Sequence, residues 1–162
     1  MKKEMFSTEI SILRDTFRRL LRRHAKTNII KLIDKTHPAD MALIFRYFND
    51  SEQDTVFAMM RPSEKTVEFL NELDEAITIR IVENETPSRI AEILEEASSN
   101  EQAYLMGLVE ETYAASVIDL FKAEEQEELE EMMAYPEDSA GILMYTDAVS
   151  YTHLTLPTIY SV

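Results

Sequence analysis

The stretch His37-Pro38-Ala39-Asp40-Met41-Ala42-Leu43-Ile44-Phe45 decides the fold class, because Thr86-Pro87-Ser88-Arg89-Ile90-Ala91-Glu92-Ile93-Leu94 repeats its pattern. When the two stretches are aligned on Pro38 and Pro87, small and large apolar residues recur at equal offsets. Proline suits the first position of a helix, where its fixed φ fits the backbone and the missing N–H would have no partner. Each stretch therefore predicts a helix start, with His37 and Thr86 as the capping residues.

Further prolines extend this pattern into a repeat along the chain. Pro62 and Pro136 continue the spacing, which gives a period of about 24 to 25 residues, with one mark missing near residues 111–112. Each proline is predicted to open a helix, and Ser51 followed by Asp54 indicates a second helix inside the first unit. Short helices cannot bury their apolar faces alone. The sequence therefore predicts an all-α superhelix or solenoid of short paired helices.

The composition supports helices and excludes several kinds of catalytic site. The 162 residues include two glycines and no cysteine, which disfavours β-turns and removes disulfides, thiolate nucleophiles and zinc fingers. His24, His37 and His153 are not spaced as metal ligands, and two isolated glycines cannot form a phosphate-binding loop. We therefore predict that the chain is not an enzyme. No apolar run approaches the roughly 20 residues that span a bilayer, so we expect a cytosolic domain.

Residues 1–26 are predicted to form an amphipathic helix with a basic polar face. Residues 1–35 contain ten Lys/Arg and four Asp/Glu, although the whole chain has a formal net charge of −15. Arg14, Arg18 and Arg22 lie four residues apart on this face. The face is either a dock for anionic lipid or an acidic partner, or a structural face that is solvated or pairs with acids of the same chain. We favour the structural interpretation, because such faces are common.

Acidic residues are concentrated further along the chain. Residues 92–138 contain 15 Asp/Glu and one base, Lys122. Such a surface repels the phosphates of nucleic acids and attracts cations, so we predict no nucleic acid partner. Mg²⁺ binds proteins through one or two carboxylates while it keeps much of its water shell, which suits scattered acids of this kind. For any single glutamate, the alternative is a solvated side chain without a specific ion.

Three stretches together resemble the cytosolic N-terminal domain of MgtE-type magnesium transporters. They are residues 37–42, residues 86–94 and the string Tyr135-Pro136-Glu137-Asp138-Ser139-Ala140-Gly141-Ile142-Leu143-Met144. The last of them is the most specific, because in the family such a string joins the N-terminal domain to a pair of CBS domains. The resemblance covers roughly residues 27–144.

The resemblance also implies a division of the chain into segments. After the helix of residues 1–26, residues 27–135 would form the repeat domain, which in the family is a right-handed superhelix. Residues 136–144 would be a linker toward a CBS pair that this chain lacks. Residues 145–162 depart from the family pattern, since Ala148 to Val162 contain no acid and no Lys/Arg. We interpret them as a non-family tail, artefactual or disordered, and exclude them from the fold prediction.

The function that the resemblance implies is regulation of magnesium transport. The whole protein would be a homodimeric membrane transporter whose N-terminal and CBS domains, on the cytoplasmic side, sense Mg²⁺ and favour closure of the pore when Mg²⁺ is plentiful. The family's acidic positions correspond to Glu68 and Asn100. Because Asn100 is uncharged, we assign the metal ligands as Glu68 and the neighbouring Glu101. Mg²⁺ that bridges carboxylates on facing domains would favour the closed arrangement. The chain by itself is not expected to transport ions.

Two other functions compete with this interpretation. Short-helix superhelices also occur in protein-interaction scaffolds, such as flagellar motor-switch proteins and HEAT-like arrays, but a scaffold does not need the string from Tyr135 to Met144. A helical enzyme with paired carboxylates would need facing Glu-x-x-His motifs, and the sequence contains none. The Mg²⁺-responsive domain is the prediction that accounts for most of these features.

Overall fold

A computed structural model describes residues 2–134 of the chain, with side chains from Phe6 onward. Over this range the chain forms ten α-helices and no β-strand, which confirms the all-α class of short paired helices. The helices are α1 (Lys2–Arg22), α2 (Lys26–Lys35), α3 (Pro38–Phe45), α4 (Asp50–Met59), α5 (Glu64–Glu72), α6 (Glu75–Asn84), α7 (Pro87–Leu94), α8 (Ser99–Leu108), α9 (Glu111–Ile118) and α10 (Ala123–Met133). The predicted linker, residues 136–144, and the predicted tail, residues 145–162, lie outside the described residues.

The helices pack in an alternating order within two compact units. In the first unit, residues 1–96, α3 packs between α1 and α5, α5 also contacts α7, and α4 packs between α2 and α6. In the second unit, residues 97–162, α8 packs on α9 and α10. Helices two places apart in the chain are therefore neighbours. This is the order expected when helix pairs stack, because each helix covers the apolar side of its counterpart in the next pair.

The two proline-containing stretches begin helices in the predicted way. Pro38 and Pro87 each occupy the first turn, and their N-caps are His37 and Thr86. The Nδ1 atom of His37 accepts a hydrogen bond from the N–H of Ala39 at 3.2 Å, and the side chain of Thr86 accepts one from Arg89. The missing repeat mark is also accounted for, because α9 begins at Glu111. The repeat therefore corresponds to four helix pairs, α3/α4 to α9/α10.

Two predicted helix starts are wrong by about two residues. Pro62 does not open α5; Ser63 is the N-cap, and its side chain accepts a hydrogen bond from the N–H of Thr66. The start predicted at Ser51 lies inside α4, whose N-cap is Asn49. Asn49 and Glu52 form a capping box, in which each side chain accepts a hydrogen bond from the other residue's N–H, at 2.8 and 3.0 Å. In both cases a capping side chain, which satisfies free N–H groups at the helix end, determines the boundary.

The N-terminal segment contains two helices. α1 ends at Arg22 because His24 adopts a left-handed backbone conformation, with φ of 51°. The N–H of His24 donates to the Leu21 carbonyl and that of Ala25 to the Leu20 carbonyl, which is the hydrogen-bond pattern of a Schellman motif. α2 then packs against α1. The start of α2 at Lys26 has no side-chain cap, and this explains why no sequence pattern predicted it.

A polar residue recurs at the same place in each of the four repeat pairs. It occupies the fourth position of the second helix and donates a hydrogen bond to a carbonyl in the last turn of the first helix or in the loop that follows it. Carbonyls in these places lack helical partners. We call these four side chains the pair-linking residues; they are Gln53, which donates to Phe45 at 2.7 Å, Thr78 to Leu70 at 3.3 Å, Gln102 to Ala97 at 3.4 Å, and Gln126 to Phe121 at 2.8 Å.

The cores of the two units differ in composition. The first unit buries aromatic rings that contact one another in a chain, with Phe45 and Phe69 edge to face at a centroid distance of 4.7 Å. Phe57 stacks near Phe69 at 6.4 Å. The described part of the second unit buries mainly aliphatic and methionine side chains, such as Leu105, Met106 and Leu129.

Candidate functional site

Glu68, the first predicted metal ligand, lies on the solvent side of α5. The other side of this helix is buried through Val67, Phe69 and Leu70. Glu64, Glu68 and Glu72 are four residues apart and all exposed, so their carboxylates form a stripe along the outside of one helix. Three like charges at this spacing repel one another, and a cation close to the stripe would reduce the repulsion.

Glu101, the second predicted ligand, already has a structural role at the start of α8. Its Oε2 atom accepts hydrogen bonds from the N–H and the hydroxyl of Ser98, at 2.8 and 2.9 Å, and its own N–H donates to the Ser98 side chain. This arrangement is a capping box. A cation that bound the same oxygen would compete with both hydrogen bonds. The sequence contains the motif Ser-x-x-Glu, which is typical of a capping box. The prediction of Glu101 as a metal ligand missed this structural role.

Asn100, which the resemblance matched to an acidic position of the family, is partly buried. Its Oδ1 atom is enclosed and accepts no hydrogen bond from the described part of the chain. A carboxylate in the same place would carry a charge with little solvent contact, which costs more than a neutral amide. The uncharged residue is thus compatible with its surroundings here.

The two predicted ligands lie in different units, Glu68 in the first and Glu101 in the second. Among residues 6–134, no group of three or more His, Asp or Glu side chains is arranged to hold a metal ion. A cation bound at either residue would therefore need further oxygen ligands from water or from another domain.

Opposite charges stabilise the first unit. Six ion pairs join its side chains, and Arg80 takes part in two of them, with Asp54 at 2.7 Å and Asp50 at 3.7 Å. Arg89 binds Glu85 at 2.6 Å and donates to the Phe57 and Met60 carbonyls at the end of α4. Arginine at a helix C-terminus satisfies free carbonyls and interacts favourably with the helix dipole.

The second unit cannot balance its charges in this way. Residues 97–134 contain ten Asp/Glu and one base, Lys122. A single base cannot compensate ten acids, and α10 alone contributes six glutamates, most of them exposed. The surface of this unit is therefore strongly anionic, and it favours the approach of cations.

The three arginines of the basic face of α1 differ in their contacts and in their exposure. Arg18 donates to the Tyr47 carbonyl and lies 3.9 Å from a Glu52 oxygen, while Arg14 lies over the Tyr47 ring at 5.4 Å. These contacts confirm the structural interpretation for Arg14 and Arg18. Arg22, the third member of the predicted face, is exposed.

A groove of about 450 Å³ runs between α8, α9 and α10 of the second unit. Its floor is apolar, with Met106, Val109 and Ile118, and it includes Gly107. Acidic residues surround it, namely Glu111, Asp119 and Glu130. None of the helices formed by residues 2–134 is long and apolar enough to cross a membrane.

Comparison with known proteins gives a family and a related structure. The family model of the MgtE intracellular N domain matches residues 36–138. Among solved structures, the chain is similar to one described as the crystal structure of the soluble part of a magnesium transporter, with a TM-score of 0.70 and 15% sequence identity. The similarity covers 82% of this chain and 52% of that one, so the chain spans about half the length of the solved structure. No curated protein matches the chain. Because the family model covers more than half of the residues, this chain belongs to the MgtE intracellular N domain family.

Proposed function

We propose that this chain is the Mg²⁺-responsive arm of a magnesium transporter and that it favours closure of the pore when Mg²⁺ is plentiful. The observation that carries the proposal is the uncompensated negative charge of the second unit, in a chain that belongs to the MgtE N domain family. Residues 97–134 contain ten acids and one base. The acids repel one another, and the repulsion is strongest when the concentration of divalent cations is low.

The mechanism requires that the chain contributes part of a metal site and a partner domain contributes the rest. Mg²⁺ retains several waters and uses few carboxylates, so two surfaces that each supply one carboxylate can share one ion. The partner in this proposal is a pair of CBS domains that follows the N domain in a homodimeric transporter, on the cytoplasmic side of the membrane. The ion binds the compact arrangement more tightly than the open one, and it shifts the population of the transporter toward closure by that difference in affinity.

Glu68 and Glu101 have different expected contributions in this mechanism. Glu68 is exposed and is available to a facing domain, so a bridging cation would form contacts without the loss of existing hydrogen bonds. Glu101 would have to share an oxygen with Ser98. We therefore propose Glu68 as the stronger ligand and Glu101 as the weaker one.

The first test is a titration of the full chain with Mg²⁺, followed by backbone NMR at constant ionic strength, with Na⁺ as the screening control. We expect saturable shifts that are localised near Glu68 and Glu101. Small shifts over the whole acidic surface, which Na⁺ reproduces, would contradict an intrinsic site. They would mean either that sensing requires the facing CBS domains or that the chain is an interaction scaffold, and the second test separates these two outcomes.

The second test uses the full-length transporter that carries this domain, with Glu68→Gln or Glu101→Gln. Glutamine retains an oxygen that can accept the capping hydrogen bonds, so Glu101→Gln removes charge and preserves the start of α8. The Mg²⁺ concentration that closes the pore should rise, and it should rise more for Glu68→Gln. Glu75→Gln, an exposed control on α6, should leave it unchanged. An equal closing concentration in all three variants would disprove the assignment of these ligands.

A further inference from the structure

Four exposed basic residues cluster where α1 turns into α2. Arg19, Arg22 and Arg23 lie at the end of α1, and Lys26 begins α2. We call Arg19, Arg22, Arg23 and Lys26 the basic elbow. None of the six ion pairs described above includes a member of the elbow. The elbow therefore presents its charge to the solvent, in contrast to Arg14 and Arg18 of the same helix.

The charge of the elbow is opposite to that of the rest of the chain. From residue 36 onward the chain contains 27 Asp/Glu and six Lys/Arg. A negatively charged surface thus repels most of this molecule and attracts the elbow, so that only one orientation of approach is favourable. The family match begins at residue 36, and the elbow lies before it.

The outward face of α1 also exposes an apolar side chain on the side that carries these bases. Ile12, Arg19 and Arg23 are spaced at i, i+7 and i+11, which places them on one side of the helix. Ile12 is 62% exposed. Lysine and arginine beside exposed apolar side chains are typical of helices that lie at the surface of a bilayer.

We propose that the basic elbow binds the anionic headgroups of a membrane surface. This proposal rests on the proposed function, which places the chain beside the membrane of its own transporter. A lipid surface is favoured over an acidic protein because attraction to a bilayer needs no shape complementarity, and the elbow does not line the groove described above. Headgroup binding holds the end of α1 and the start of α2 at the bilayer.

The test is sedimentation of the full chain with vesicles in the presence of EDTA, so that Mg²⁺ cannot contribute. One set of vesicles contains phosphatidylcholine alone, and the other contains about 30% phosphatidylglycerol. The variant is Arg19→Gln/Arg22→Gln/Arg23→Gln. The control is Arg46→Gln/Arg61→Gln/Lys122→Gln, which removes the same charge from exposed positions outside the elbow. Circular dichroism verifies that both triple variants are folded.

We expect the wild-type chain to bind the anionic vesicles and to lose the binding as salt increases. Each basic residue near such a surface strengthens partition by about fivefold, so the elbow variant should bind about 100-fold more weakly, and the control should lose far less. Equal losses in both triple variants, or no preference of the wild type for anionic vesicles, would overturn the proposal. Self-association of the chain at low salt without vesicle binding would overturn it in favour of an acidic protein partner.

These outcomes are independent of the Mg²⁺ experiments. Vesicle binding is measured without Mg²⁺, and the substitutions lie outside the two proposed ligands. If the elbow proposal fails, the shifts expected near Glu68 and Glu101 are unaffected. If the Mg²⁺ titration fails while vesicles are bound, the membrane-binding surface remains.

Discussion

The two units of this chain use the same helix-pair architecture with opposite treatment of charge. In the first unit, arginines join helices that are far apart in the sequence, as when Arg80 binds Gln53 and Asp54 of α4. In the second unit, Lys122 is the single base among residues 97–134, and the helices are held by capping residues, pair-linking glutamines and an aliphatic core. Both solutions satisfy the ends of short helices, but only the first pairs acids with arginines in doing so.

The comparison indicates which acids respond most strongly to ions. A nearby cation stabilises an acid that is paired with arginine only a little, because the charge of the acid is already compensated. The same cation stabilises an acid that faces only other acids more strongly. The stability of the first unit should therefore depend mainly on packing, and that of the second unit on packing and on the ionic environment. The following four predictions test this difference, from the largest effect to the smallest.

Phe69→Ala should cause the largest loss of stability, and the loss should be confined to the first unit. Phe69 is 2% exposed and contacts both Phe45 and Phe57, so its removal leaves a cavity and breaks two ring contacts. We expect a decrease of about 3 to 5 kcal/mol in the free energy of unfolding. Urea denaturation measures the total, and amide hydrogen exchange assigns it to helices. Equal loss of protection in α8 to α10 would show that the two units unfold together.

Substitution of the pair-linking residues should distinguish the units directly. Gln53 is 4% exposed, donates to two carbonyls and accepts from Arg80, so Gln53→Ala should cost about 2 to 3 kcal/mol. Gln126 is half-buried and donates to the Phe121 carbonyl, so Gln126→Ala should cost about 1 kcal/mol. Denaturant titration of both variants gives the comparison. Similar costs would mean that the link to Arg80 adds no stability.

Gly107→Ala should stabilise the second unit. Gly107 lies inside α8, is exposed, and an added methyl group would have no atom within 4 Å. Alanine restricts the unfolded chain more than glycine does, and the expected gain is about 0.5 to 1 kcal/mol. His24→Gly is the matched change in the first unit, because glycine adopts the left-handed conformation of that residue without strain. We expect neither variant to lower the denaturant concentration at the unfolding midpoint. A lower midpoint for either variant would contradict the described backbone.

Added salt should produce the smallest effect, of opposite sign in the two units. An increase from about 0.05 M to about 0.5 M NaCl screens the repulsion among the acids of the second unit and weakens the ion pairs of the first. We expect changes of a few tenths of a kcal/mol in each, which segment-resolved hydrogen exchange can separate. A change of the same sign in both units would mean that charge does not distinguish them.

The helical pairs were predictable because local chemistry determines them. Proline at a first helical position and a preceding capping residue gave the starts of α3 and α7, and the period located α9. Pro62 was misleading because Ser63, one residue later, captures the free N–H groups instead. α2 escaped prediction because it begins without a proline or a side-chain cap. A further signal was available, since the pair-linking residues recur with the same period.

The candidate site was less predictable, because its residues act through partners that are distant in the sequence. Arg18 belongs to the structural part of its face since it reaches the carbonyl of Tyr47, 29 residues away. No pattern within α1 indicates that choice, nor that Arg22 remains exposed. Glu101 is a contrasting case, because its partner Ser98 is three residues away and the capping motif could have been recognised. Distant contacts depend on how the helix pairs stack, which the repeat alone does not specify.

The order in which helices pack has a consequence for how the protein is made. In the first unit each helix contacts the one two places later, so most of its long-range contacts close loops of a few tens of residues. Low contact order of this kind permits fast folding, with a small entropic cost for each step. A ribosome that releases α5 has already exposed α3, its largest packing partner, and the chain can fold vectorially, one pair at a time, during synthesis.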